Sequence, residues 1–266
     1  MDHPTFWHRQ TIDKPLYPDL VWSRPERRSA AGKLLIIGGN LHAFAAPAEA
    51  FARAEKTGAG VVRVMLPDAA KKIVGPILEH VEYAPSTLSG SFGQKALAEL
   101  VAASAWADAV LIAGDLGRNS ETAILLEKLA QKYPGHLTLT KDAADYVTSA
   151  PDAFVHRQNT LLVLSFAQLQ KLATKMGYTR AFTFDMDLLR LVDTLHDFTT
   201  QHTIMIVVQH LEQLIIGVNG QVVTTTLPEV PEAWRVQTAA AASVWWMQNP
   251  SKPLEALATT LVADHA

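Results

Sequence analysis

Apolar residues along this chain fall into short unbroken runs, separated by amphipathic stretches, an alternation that predicts buried strands joined by helices. Lys33–Ile37 (KLLII) is one such run, of the kind that fills a central parallel strand. Gly38-Gly39 then lets the backbone turn sharply, and Asn40 tolerates the same dihedral angles. Ala45–Lys56 is rich in Ala and Glu, good helix formers, with small residues that let a helix lie close on a sheet. Gly58 and Gly60 bracket its exit, and Val61–Leu66 is the next strand, halted by Pro67. This order gives a right-handed βαβ unit of about thirty residues. Ligands of such units sit beyond the carboxyl ends of the strands, which places Gly38, Gly39 and Asn40 at a binding edge.

The same pattern continues downstream. Asp68 is read as the cap of a short helix running through Val74, and Val81–Tyr83 as a brief strand. Gln94–Ala103 is helical, and Ala109–Ala113 is a buried strand. Asn119 or Ser120 caps a helix that runs to Tyr133, with Leu125, Leu126, Leu129 and Ala130 facing the sheet. Strands at Leu137–Thr140 and Leu161–Leu164 alternate with a short helix headed by Asp142 and a helix over Phe166–Met176. Met186–Thr199 is a further helix and Thr203–Val208 a β-branched strand. Leu214–Val218 and Gln221–Thr225 flank Asn219-Gly220, the signature of a type I′ hairpin. Trp234–Met247 is a long Ala-rich helix, stopped by Pro250, and Leu254–Val262 closes the chain. The expected fold is α/β: a three-layer αβα domain over residues 32–266, with a mainly parallel sheet and a late β-hairpin.

Residues 1–31 break the pattern. Pro4, Pro15, Pro18 and Pro25 disfavour a regular helix and favour an extended path, while Phe6, Trp7, Tyr17 and Trp22 are too apolar for a free tail. The segment is read as an arm lying on its own domain or on a neighbouring subunit. A homo-oligomer is expected, with the arm and the Trp245-Trp246 pair as candidate interface; core packing is the other reading of that pair. Arg24, Arg27 and Arg28 are read as a solvated surface.

Composition narrows the function. The chain has 266 residues, 48% of them hydrophobic, so a sizeable core is available. A net charge of −3 argues against nucleic acid or an anionic membrane as partner. With no cysteine, disulfides, thiolate metal sites and a cysteine nucleophile are excluded. No run approaches the roughly 20 apolar residues of a membrane span, and the polar N-terminus (Asp2, His3, His8, Arg9) does not read as a signal peptide. A soluble cytoplasmic protein is expected.

No complete nucleotide motif is present: neither G-x-x-x-x-G-K-[ST], nor G-x-G-x-x-G, nor G-x-S-x-G. No H-x-x-x-H pair exists, and Asp187 is read as a helix cap rather than as half of a metal pair with Asp185, so no metal site is expected. The densest chemistry lies in Gly114–Thr122, where a strand opens into a helix and free N–H groups favour anions. Asp115, Arg118, Asn119 and Ser120 crowd polar groups there, and Gly114 and Gly117 allow close approach. Two readings stay open: a ligand loop, or an ordinary capped helix start with a surface Arg118–Asp115 pair. Asp142, at the next strand end, either points into the same crevice or caps its helix.

The order of these pieces resembles the ribokinase-like superfamily, and within it the NAD(P)H-hydrate dehydratase group related to carbohydrate kinases. Lys56-Thr57-Gly58-Ala59-Gly60-Val61-Val62 stands at the family's R/K-x-G-A-G-L/V-V segment, and Asp108–Gly117 at its D-A-x-x-I-G-P-G-L-G loop. Thr140–Ala144 stands at D-A-D-A-L and keeps only the second aspartate, Asp142; Val163–Leu172 aligns with T-P-H-x-G-E-x-x-x-L. The resemblance covers roughly residues 32–266 and implies ADP or ATP as cofactor; the ligand-binding candidates, taken with the loops above, are Gly38, Gly39, Asn40, Gly114, Asp115, Arg118, Asn119, Asp142, Gln168 and Arg235. The departures are physical. The family's histidine falls on Ser165, its glutamate on Gln168, and its nucleotide-side lysine near His210. Its G-T-G-D anion hole and catalytic aspartate fall on Trp234-Arg235-Val236-Gln237, where bulk replaces glycine and Gln237 cannot take a proton. Three readings follow: a ligand-binding domain that has lost phosphate chemistry, an enzyme rebuilt on Asp115, Arg118, Asn119 and Asp142, or a structural subunit.

Overall fold

The computed structural model describes residues 4–75, 81–227 and 233–263; Asp2 and His3 lie outside them. One ten-stranded sheet organises the chain, in the order β1-β10-β9-β8-β7-β6-β5-β2-β3-β4. Its strands are β1 (Trp7–Thr11), β2 (Lys33–Gly38), β3 (Val61–Pro67), β4 (Val81–Ala84), β5 (Ala109–Gly114), β6 (His136–Thr140), β7 (Thr160–Leu164), β8 (Met205–His210), β9 (Gln213–Val218) and β10 (Gln221–Thr226). All neighbours pair in parallel except β9, which runs antiparallel to both β8 and β10. The helices are α1 (Pro18–Trp22), α2 (Ala45–Thr57), α3 (Lys71–Val74), α4 (Leu97–Trp106), α5 (Ser120–Lys132), α6 (Asp142–Ser149), α7 (Asp152–Val155), α8 (Phe166–Lys175), α9 (Leu188–Gln201), α10 (Trp234–Gln248) and α11 (Pro253–Thr260). The expected three-layer α/β architecture with a mainly parallel sheet is the one observed.

Period-2 alternation divides each strand between two cores. Leu35, Ile37, Val110 and Ile112 face the layer of α4, α5, α6, α8 and α9. Leu34, Ile36, Leu111 and Ala113 face the layer of α2, α10 and α11. Helix α10 is buried without a break from Thr238 to Met247, and Ala239–Ala242 are at most 1% exposed. A stripe of alanines lets it lie close against β5, β6, β7 and α2, and Ser243 Oγ bonds Ala239 O at 2.8 Å and the Thr138 hydroxyl on β6 at 2.9 Å. Trp245 and Trp246 are 2% and 1% exposed, so this pair is core packing and presents no interface.

The hairpin forms as the Asn-Gly signal requires, with φ of 47° at Asn219 and 76° at Gly220. The proline-rich arm differs from its expectation. Trp7–Thr11 is a strand, paired in parallel with β10, and Pro18 opens a five-residue helix. Proline in a first helical turn loses no hydrogen bond, which is why it starts α1 instead of preventing it. Asp68 also differs: its carboxylate accepts from Ser86 N and Oγ, across to the segment after β4, and does not cap the 3-10 turn it begins.

Strand order places the site. From β2 the sheet grows one way through β3 to β4 and the other way through β5, so the β2/β5 boundary is a topological switch point. The chain leaving β2 enters α2 in one helix layer and the chain leaving β5 enters α5 in the other, the arrangement beside which ligands of open α/β sheets bind. Gly38–Asn40 and Gly114–Gly117 are the loops at that boundary.

Candidate ligand crevice

The β2 and β5 loops approach to backbone contact. Gly39 N donates to Gly114 O at 2.9 Å, and a Cβ on Gly38 would sit 2.7 Å from that same oxygen. Gly114, at φ 107°, has Lys141 Cβ and Asp142 Oδ1 within 2.9 Å of where its own Cβ would stand. Only glycine fits either position. Asn40 is spent on the loop itself: its Nδ2 donates to Asp115 O at 2.6 Å, and its Oδ1 accepts from His42 N and Ala43 N.

Asp115 is the centre of the floor. It holds a left-handed φ of 57°, and its carboxylate turns inward. One oxygen accepts from Ala46 N, in the first turn of α2, at 2.7 Å; the other pairs with Lys141 Nζ at 2.8 Å. A charge at a helix head is stabilised by the free amides and the helix dipole, so Asp115 seats itself where an external anion would bind. The expected surface pair with Arg118 is not formed; Arg118 is exposed, and Lys141 is the partner. Lys141 also has a positive φ, 51°, so two non-glycine residues in sparsely populated conformations meet at the strand ends.

Asp142 does not cap its own helix; Lys141 precedes α6 as its N-cap residue. Its carboxylate crosses to the β5 loop, where Oδ2 accepts from Gly117 N at 3.1 Å. Oδ1 is buried and has no partner among the described residues. Burial pushes this carboxyl above its ordinary value of 3.8; the Gly117 amide opposes that, and the charge of Asp115 adds to it. Asn119 lies on the outer side of the loop as the N-cap of α5, accepting from Glu121 N and Thr122 N, with Nδ2 on Ser89 Oγ at 3.0 Å. Tyr146, absent from the sequence reading, clamps this loop: its hydroxyl donates to Gly117 O and accepts from Asn119 N. An aromatic hydroxyl one turn after Asp142 was the available signal.

Gln168 and Arg235 stand beyond Lys141, at the end of β7. Gln168 closes a capping box with Ser165, its Nε2 donates to Lys141 O at 2.7 Å and Asp145 Oδ1 at 3.0 Å, and its Oε1 accepts from Arg235 Nη1 at 3.3 Å. Every polar atom of this buried side chain is used, so it ties α6, α8 and α10 together. Nearby, Phe166 packs at a tilt against Phe184 and His210, and Phe184 and Leu211 are 63% and 78% exposed.

At the head of α10 the residues do not fit a phosphate cradle. Trp234 and Val236 point into the core, 8% and 3% exposed, and the Val236 and Gln237 amides are bonded to Ala233 O. Gln237 Nε2 donates to Glu49 Oε1 on α2 at 2.9 Å. Among the described residues there is no group of three or more His, Asp or Glu placed to hold a metal, and no helix long and apolar enough to cross a membrane.

No family model and no curated protein sequence matches this chain. Solved structures do. A ribokinase-like superfamily protein from Enterococcus faecalis superposes with a TM-score of 0.73 at 14% identity, over 98% of this chain and 87% of that one. The chain has the ribokinase-like fold. A hypothetical protein from Streptococcus mutans gives 0.67 at 15% identity, over 92% of this chain and 84% of that one. The ADP/ATP-dependent NAD(P)H-hydrate dehydratase of Bacillus subtilis, co-crystallised with ATP and Mg2+, gives 0.62 at 12% identity, over 93% and 86%. At these identities the likeness is one of ribokinase-like fold, and the chemistry rests on the residues just described.

Proposed function

We propose that this is a ribokinase-fold binding protein that takes a nucleotide-like or other small polar ligand in the crevice at the β2/β5 switch point and does not perform ADP/ATP-dependent chemistry. One observation carries the reading: Gln237, at the position where the resemblance expects the acid/base aspartate, is locked by its amide to Glu49. An amide cannot shuttle a proton, and a general acid/base typically supplies a factor of about 10²–10⁴. The Val236 and Gln237 amides are spent on Ala233 O, so neither is free to stabilise charge on a transferring phosphoryl.

Support for retained binding comes from the crevice. Its glycines bring the β2 and β5 loops together at the switch point, and the exposed Phe184 beside Phe166, after β7 on the same sheet edge, offers an aromatic ledge for a flat group. An enzyme rebuilt on Asp115, Arg118, Asn119 and Asp142 is less favoured, since Asp115 and Asn119 already serve the loops they stand on.

Calorimetric titration with NADH, adenosine, ADP and ATP, paired with an assay for ATP-dependent dehydration of hydrated NADH, tests the reading. Binding of at least one of these without turnover is the expected result. Measurable turnover refutes it, and so does a flat titration with all four.

A further inference from the structure

Independently of the β2/β5 crevice, the geometry points to a second binding site at the β1/β10 edge of the sheet, one that takes the phosphoryl group of a small phosphomonoester. Period-2 alternation puts Trp7, Arg9 and Thr11 of β1 on one face. The register sets Arg9 beside Thr224 and Thr11 beside Thr226 on β10, and Thr226 beside Gln213 on β9. Trp7 and Val222 give the start of this face to the core. Its carboxyl end stays open, with a cavity of about 340 Å³ lined by Arg9 and Lys14, by Thr11, Thr224 and Thr226, and by Gln213. Leu188, the first residue of α9, borders it.

The lining holds two cations and no acid. Arg9 lies over the Trp7 ring, 3.8 Å from its centroid, and that indole is held in turn by its Nε1 on Thr224 Oγ1 at 3.1 Å. Stacking orients the guanidinium without consuming its N–H donors. Lys14 is placed by its backbone, which exchanges bonds with Thr11 in both directions. Both cations are exposed, and among the described residues neither is in an ion pair. The acids closest in sequence, Asp13, Asp187 and Glu212, stand outside the lining, and Asp187 is spent on Arg190 N. Thr224 Oγ1 accepts from Trp7, and Thr226 Oγ1 accepts from Gln213 Nε2 at 2.7 Å, which leaves each hydroxyl its own proton to give. A planar fork, a point charge and hydroxyl donors together suit a phosphoryl group, whose two charges match the two cations where a carboxylate would match one. The volume stands at the low end of the roughly 300–1,000 Å³ of small-molecule pockets, room for the phosphoryl and a short hydroxylated body, with Gln213 Oε1 as its acceptor.

The test is calorimetry with glycerol 3-phosphate, inorganic phosphate, glycerate and glycerol on the wild type and on Lys14→Gln, Arg9→Gln and Arg9→Lys. The wild type should take glycerol 3-phosphate more tightly than phosphate or glycerate, and glycerol not at all. Lys14→Gln and Arg9→Gln should each weaken glycerol 3-phosphate by about tenfold, the effect of one charge-assisted hydrogen bond. Arg9→Lys should weaken it less, because the charge stays and the fork is lost. Lys14 is an exposed side chain in no ion pair among the described residues, so a loss in Lys14→Gln is not one of folding, whereas Arg9→Gln also removes the stack on Trp7. A wild type that binds neither phosphate compound, or that prefers glycerate, overturns the inference. So does wild-type affinity in Lys14→Gln and Arg9→Gln, the result expected of an anion held only in the β2/β5 crevice.

Discussion

A single carboxyl shows what burial costs at the strand ends. Asp142 has one oxygen satisfied by Gly117 N and one without a partner, and burial raises its proton affinity above the ordinary 3.8. A carboxyl whose folded affinity for the proton is raised stabilises the fold fully below its unfolded value, and that contribution is lost as pH climbs through the folded value. Asp115, Lys141 and Tyr146 surround it; Asp115 pushes the same way, Lys141 the opposite way. Asp142→Asn keeps an acceptor for Gly117 N and puts an uncharged amide where the charge was. Urea denaturation should find the variant about 1 kcal/mol more stable than wild type near pH 7, the low end of the cost of an unsatisfied buried group. The gain should shrink as pH falls and vanish about one pH unit below the ordinary carboxyl value, where the wild-type carboxyl is protonated in both states; a gain that persists there would mean the cost was not electrostatic. At this scale local caps were legible in the sequence. Asn119 and Asp187 each accept from the amides of the helix they precede, because cap chemistry is local in sequence. The carboxylates of Asp68, Asp115 and Asp142 were not, because each bonds a group 18 to 69 residues away.

Among the strands, β1 is the one the pattern did not announce. Its five residues, WHRQT, alternate weakly, and the prolines around them read as an arm. What makes them a strand is tertiary: Trp7 Nε1 donates to Thr224 Oγ1 at 3.1 Å, and Gln10 Nε2 donates to Thr225 Oγ1 at 2.9 Å and Ala258 O at 2.8 Å. Phe6 lies flat on His196 of α9, with ring centroids 3.7 Å apart. The anchors therefore reach both layers, one face through Trp7 and the other through Gln10. Trp7→Ala removes an indole that is 8% exposed, and truncating a buried aromatic costs about 3–5 kcal/mol, here near the lower figure because the strand is at an edge. Hydrogen exchange should show the loss as faster exchange in β1 and β10, with the β2–β5 amides unchanged. Uniform acceleration over the whole sheet would show instead that β1 is part of the global folding unit. The central strands, by contrast, were legible to within a residue or two, because runs such as Leu34–Ile37 and Val110–Ala113 are buried on both faces and carry no competing signal.

For the molecule as a whole, alternation of strands and helices gave the layers, but no local pattern states that β5 sits beside β2, and it is that adjacency which makes the crevice. The fold tolerates almost complete change of sequence, as a TM-score of 0.73 at 14% identity demonstrates. Its frame depends on burial pattern, whereas chemistry depends on a few side chains and on the neighbours that keep them poised. Residue 237 illustrates the difference. Gln237 faces Glu49, and each satisfies the other at 2.9 Å. Gln237→Asp would restore a carboxylate at the position the resemblance marks, yet it would set two carboxylates against each other in a half-buried gap between α10 and α2. Like charges at that range raise each other's proton affinity and destabilise the ionised pair. The variant should lose about 1–2 kcal/mol in urea denaturation at pH 7, recover most of it near pH 4.5, and recover it at pH 7 in the double variant with Glu49→Gln. Neither variant should gain ATP-dependent turnover, because the amides beside residue 237 remain bonded to Ala233 O and Trp234 remains packed in the core. A Gln237→Asp protein that is as stable as wild type at pH 7, or that turns over hydrated NADH with ATP, would show that α10 opens toward the crevice and that its amides are free to hold a phosphate.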